Sequence, residues 1–236
     1  MQQGNLSEGS INSPLMPGIL NQSHVWVPKF ERMSLVVDIL NTVKGEVSGA
    51  THIVVRDIQG EVTNRVRVEF EPGAIASLDL SLLMGGCQED NRLVHGLVEV
   101  RSPISYVHAF RLLSGQDSLP MRESFILSRT APFFYFLNSF DSNTSYFALI
   151  NLGESEAEIQ CRLYWERFYR ESVKVVPPLG VRIVRVEDDF AEALSLEKDE
   201  APRYIRIAQR NESSEVAVQV IEKSVDVNGT FHYSSY

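Results

Sequence analysis

"SYFALINLGESEAEIQCRLYW", residues 145–165, reads as an apolar strand, a tight turn and a second, alternating strand. About 110 residues earlier, "SLVVDILNTVKGEVSGATHIVVR" at residues 34–56 follows the same plan. In both, the apolar run ends in asparagine (Leu40-Asn41 and Ile150-Asn151), a polar stretch with glycine follows, and β-branched residues then resume. In the second strand of the later copy, Ile159, Cys161, Leu163 and Trp165 fall on one face and Gln160, Arg162 and Tyr164 on the other. A period of two marks a half-buried strand.

Working outward, a shift of about 110 residues keeps many features in order. Trp26 meets Phe136, and Phe30 meets Phe140. Ile53 and Val55 meet Leu163 and Trp165, Leu78 and Leu80 meet Val184 and Val186 after a short deletion, and His108 meets Val218. "RVRVEF" at 65–70 alternates Val66, Val68 and Phe70 against Arg65, Arg67 and Glu69. Gly, Pro, Asn and Asp recur between such runs. Short strands at this spacing predict an all-β chain of two tandem β-sandwich or jelly-roll-like units related by internal duplication, with very little helix. The expected layout is a flexible tail over 1–23, unit 1 over 24–113, a linker over 114–133, unit 2 over 134–226 and a C-terminal tail over 227–236. The one good helix signal is "DDFAEALSLEKDE", where Asp189 followed by Glu192 resembles a capping box. "DLSLLMGG" predicts a single turn stopped by Gly85-Gly86.

The 236 residues are 44% hydrophobic and 22% charged, ordinary values for a globular core. A net charge of −9 argues against general nucleic-acid binding, which needs a dense cationic face. Cys87 and Cys161 are too few for a disulfide framework and point to a reducing, cytoplasmic setting. No basic start with an apolar core precedes the first strand, and no run has the length of a membrane span, so no membrane insertion is expected.

Chemistry-bearing patterns are scarce. The five histidines, His24, His52, His95, His108 and His232, form no ligand pair at helical or strand spacing. No Gly-x-Ser-x-Gly elbow, phosphate-binding loop or dinucleotide fingerprint occurs. The acidic run Glu187-Asp188-Asp189 fits helix capping better than a cation site. The expectation is therefore no catalytic residue, no metal and no cofactor. One stretch stands out: "WERFYRES" replaces the plain turn "RDIQGEV" of the first unit. Tyr164, Arg167, Phe168, Tyr169 and Arg170 at such a tip have the composition of an interface anchor or a stacking platform.

The second unit, through "ALINLGESEAEIQCRLYW", "VVPPLGVRIVRVEDDF" and "YIRIAQRNESSEVAVQVIEKSVD", resembles the sensory rhodopsin transducer family of small soluble bacterial β-sandwich proteins. The first unit follows more loosely through "VVDILNTVKGEVSGATHIVV", "FEPGAIASLDL" and "GLVEVRSPISYVHAF". The resemblance implies a non-enzymatic adaptor that assembles as an oligomer, in named members beside a microbial rhodopsin. Edge strands recruit partners, and closed homo-oligomers most often use two-fold symmetry, so a homodimer, with a further protein partner, is the first expectation. The alternative is a β-sandwich that binds carbohydrate or another small ligand on a sheet face.

Overall fold

The computed structural model describes residues 6–8, 21–30, 33–41, 49–71, 73–90, 93–102, 106–114, 117–120, 125–127, 131–137, 143–196, 202–211, 214–225 and 231–235. It is all-β and divides into two compact units: Met1–Glu89 with Leu93–Met121, and Asp90–Arg92 with Arg122–Tyr236.

In unit 1 the strands are β1 (Leu6–Glu8), β2 (Asn21–Pro28), β3 (Met33–Asn41), β4 (Gly49–Arg56), β5 (Val62–Phe70), β6 (Ile75–Asp79), β7 (Glu89–Asp90, at the unit boundary), β8 (Leu93–Ser102), β9 (Tyr106–Ser114) and β10 (Asp117–Pro120). Sheet A runs β1-β5-β4-β8-β2 with β7 beside β8, and sheet B runs β10-β9-β3-β6. In unit 2 they are β11 (Phe125–Leu127), β12 (Phe133–Phe136), β13 (Asn143–Asn151), β14 (Ala157–Tyr164), β15 (Tyr169–Val176), β16 (Val181–Arg185), β17 (Tyr204–Gln209), β18 (Val216–Val225) and β19 (Phe231–Ser235). Sheet C runs β11-β18-β13-β16 with β19 beside β18, and sheet D runs β12-β17-β14-β15. Apart from that of β7 with β8, these pairings are antiparallel.

The two units share a strand order. β5-β4-β8-β2 in unit 1 corresponds to β15-β14-β17-β12 in unit 2, and β9-β3-β6 corresponds to β18-β13-β16. Even the short helical turns coincide in place. A 3-10 turn at Leu80–Leu83 follows β6, where α1 (Val186–Asp189) and α2 (Ala191–Leu196) follow β16.

Several expected boundaries shift. Leu6–Glu8 and Asn21–Ser23 belong to strands rather than to a tail, because their backbone groups pair with β5 and β8. The linker over 114–133 carries β10, β11 and the start of β12, which extend existing sheets. Phe231–Ser235 of the expected C-terminal tail pairs with β18. In each case a ladder offers partners for backbone groups that would otherwise depend on water.

The expected alternation holds in β14: Ala157, Ile159, Cys161 and Leu163 are buried and Trp165 continues their line, while Glu158 is exposed. These side chains meet Phe147, Leu149, Val184, Val218 and Val220 of sheet C in one apolar core. Two sheets joined by such a core make a sandwich. Helix capping departs from expectation. Asp189 does not open α2; its carboxylate accepts from Arg185 N (2.8 Å) and pairs with Lys174. The cap instead appears in unit 1, where Asp79 accepts from Ser81 N at 2.9 Å.

The asparagine of the opening motif has a defined task in unit 2. Asn151 is fully buried. Its amide donates to the Ser155 and Val176 carbonyls (2.7 and 3.0 Å), and its carbonyl accepts from Gly153 N at 3.0 Å. One side chain thus ties the turn to both the incoming and the neighbouring strand.

Candidate functional site

The outer face of sheet D is built by register. Opposing residues of an antiparallel pair share a face, so pairing alone places their side chains together. Phe136 opposes Tyr204, Tyr204 opposes Tyr164, and Tyr164 opposes Tyr169. The result is an aromatic row across all four strands. Tyr164 and Tyr204 stack with centroids 4.6 Å apart at 12°, Tyr169 lies 5.4 Å from Tyr164, and Phe136 lies 5.9 Å from Tyr204. Phe134, one step along β12, is 6.1 Å from Tyr204. Phe136 is 73% exposed, Phe134 51% and Tyr169 46%.

The next row is polar. Phe134 opposes Arg206, Arg206 opposes Arg162, and Arg162 opposes Glu171. Arg162 donates to Glu171 at 2.9 Å while its guanidinium lies 4.8 Å from the Tyr169 ring centroid. Gln160 donates to Glu171 at 2.9 Å and accepts from Arg206 at 3.2 Å. The hydrogen bond from Arg162 is the leading cause that holds the Glu171 carboxyl below its ordinary range. Beyond this row Val173 and Val175 continue the face as exposed apolar residues of β15. Mixed charges thus lie beside a partly exposed aromatic row on one face of the sheet.

The five residues singled out from sequence separate here. Tyr164 and Tyr169 join the row, while Arg167 and Arg170 are exposed at the hairpin. Phe168 does not join the surface. Its ring stacks on buried Trp165 at 5.0 Å, against the core, with the Arg170 guanidinium 5.1 Å from its centroid. Sequence reasoning missed Phe134, Phe136 and Tyr204, which lie on strands remote in the chain. The alternation of "RYIRIAQ" did carry a signal for Tyr204.

Other polar clusters are held by ion pairs and hydrogen bonds. In unit 1 the Glu99 carboxylate is 1% exposed, bonded by Arg101 (2.5 and 2.6 Å) and Gln22, with Arg56 at 3.6 Å and His24 at 3.9 Å. In the acidic run at 187–189, Arg185 lies 2.9 Å from Asp188 and Lys174 pairs with Asp189, while burial raises the Glu187 carboxyl above its ordinary range. His108 meets Ser23 Oγ and packs edge-on against Phe110 at 5.6 Å. Among the described residues no group of three or more His, Cys, Asp or Glu side chains is placed to hold a metal ion. Nor is any helix among them long and apolar enough to cross a membrane.

No protein-family model matches the chain, and no curated protein matches it. Among solved structures, the crystal structure of a lectin from Pleurotus ostreatus in complex with GalNAc aligns with 98% of this chain and 85% of its own. Identity is 10% and the TM-score 0.18, too low a likeness to bear on fold or ligand.

Proposed function

We propose that the chain is a non-enzymatic binding and assembly module, and that a protein partner docks on the outer face of sheet D. The observation that carries this reading is the row Phe136, Tyr204, Tyr164 and Tyr169, exposed at its two ends and half-buried in the middle, beside Arg162 and Glu171. Aromatic and arginine side chains concentrate where protein interfaces are anchored.

Ring orientation favours protein over sugar. A sugar platform offers open ring faces, whereas Tyr164 and Tyr204 each turn one face to the other at 4.6 Å. One face of Tyr169 is occupied by Arg162. Ring edges and the open Phe136 suit packing against the side chains of a partner, where edge-to-face pairs form readily. The setting is an adaptor in the bacterial cytoplasm, in keeping with the resemblance to sensory rhodopsin transducers.

The test is affinity capture from native extract with the full chain and with Phe136→Ser/Tyr204→Ser, run beside a panel of immobilised oligosaccharides. A protein retained by the wild type and lost with the double variant is the expected result. Capture unaffected by the substitutions, or oligosaccharide binding without protein capture, would overturn the assignment.

A further inference from the structure

Sheet D ends at β15, and among the described residues β14 is the only strand paired with it. The hairpin fixes which backbone groups face out. Trp165 N donates to Phe168 O at 3.0 Å, closing the turn with a hydrogen-bonded pair. Bonded and non-bonded pairs alternate along an antiparallel ladder. The pairs Tyr164–Tyr169, Arg162–Glu171, Gln160–Val173 and Glu158–Val175 are therefore non-bonded between β14 and β15. The other side of β14 agrees: Arg210 N donates to Glu158 O at 2.8 Å, so that set of β14 groups serves β17. The N–H and C=O groups of Tyr169, Glu171, Val173 and Val175 thus point away from the sheet. The Tyr169 carbonyl accepts from the Arg170 side chain at 3.3 Å.

The counterpart edge in unit 1 is treated differently. There β5 holds the place of β15, and the chain's own Leu6–Glu8 adds to it as a further antiparallel strand. An unpaired edge with exposed β-branched residues is a template for strand addition. Val173 and Val175 are 40% and 44% exposed on β15.

We propose that β15 pairs with β15 of a second copy, joining two copies of sheet D into one continuous sheet. This interface uses the strand edge and borders the face assigned above to a protein partner, with which it shares Tyr169, Val173 and Val175. The register supplies the argument for a second copy. An antiparallel two-fold centred on Ser172 sets Glu171 opposite Val173 and Tyr169 opposite Val175 of the other copy. Every outward N–H from Tyr169 to Val175 then meets an outward carbonyl, and residues of like face oppose one another. The Tyr169 ring lies over the partner's Val175, a favourable cross-strand pair. Such a contact is isologous and closes at two copies.

The experiment is light scattering of the full chain at micromolar concentration, with Val173→Pro as the main variant. Val173 gives no hydrogen bond to β14, so proline there removes an outward donor and spares the ladder. The expected result is a wild-type dimer and a Val173→Pro monomer with native circular dichroism. A monomeric wild type, or a dimer persisting in natively folded Val173→Pro, would overturn the proposal. If the proline disturbs folding, Val173→Lys/Val175→Lys decides: a monomer supports the edge and a dimer rejects it. Phe136→Ser/Tyr204→Ser should remain dimeric. Its dissociation beside an intact Val173→Pro dimer would move self-association to the face and reject the edge.

Discussion

Trp26 and Phe136 occupy the same place in the strand order of their units, yet Trp26 is 0% exposed and Phe136 is 73% exposed. Trp26 opposes Leu97 on β8, as Phe136 opposes Tyr204 on β17. The Trp26 ring packs edge-on against Phe30 at 6.5 Å and His95 at 6.0 Å. Corresponding edge strands thus carry a buried ring in one unit and an exposed ring in the other. Trp26→Ala should therefore cost about 3–5 kcal/mol, the range for deleting a buried large aromatic. Phe136→Ser should stay within about 0.5 kcal/mol, as surface substitutions do. Urea denaturation of both variants checks the contrast, and equal losses would contradict it.

Asn151 satisfies three backbone groups at full burial. An aspartate there has the same shape but cannot donate to the Ser155 and Val176 carbonyls. Asn151→Asp is expected to destabilise unit 2 by about 2–4 kcal/mol, since each buried unsatisfied group costs about 1–3 kcal/mol. Thermal unfolding at neutral pH is the measurement, and an unchanged melting temperature would deny the asparagine this role.

Asp38 responds to acid in a defined direction. Partial burial raises its pKa, but hydrogen bonds from Arg111 and Ser77 outweigh this and hold the carboxyl below its ordinary value of 3.8. Arg111 donates at 3.0 Å to one oxygen and also bonds the other, and Ser77 donates at 2.6 Å. A depressed folded-state pKa gives stability that is present above the unfolded value and lost as pH falls through the folded one. Asp38→Asn should thus flatten the loss of stability below about pH 4, in the window set by the ordinary aspartate pKa. Parallel denaturation curves between pH 5 and 2 for wild type and variant would count against the pair.

Cys161 is fully buried, and burial pushes its thiol up to about 12. Cys87 is raised as well, with burial again the leading cause. The thiolate is the reactive form, so both should resist alkylation at pH 7 in the native protein. Cys161 should label only as fast as unit 2 opens. Rapid labelling of Cys161 without denaturant, read by mass spectrometry, would contradict its place in the core.

The sequence by itself determined the longer alternating strands and their inner faces, but not the short strands added at the sheet edges. Alternation is local, because neighbouring side chains on a strand point to opposite sides whatever lies across the sheet. That made Ile159, Cys161, Leu163 and Trp165 legible as core, and the spacing of two similar runs foretold a shared strand order. Only the tertiary structure decided what covers each outer face and edge. Tyr164 meets Tyr204 through a pairing of strands 40 residues apart, and no local period encodes that register. Phe168 and Tyr169 are neighbours in the chain, yet one turns to the core and the other to solvent, because the hairpin closes at Trp165 and Phe168. Leu6–Glu8 reads as polar tail and pairs with β5, because an open edge offers backbone bonds to any extended segment within reach.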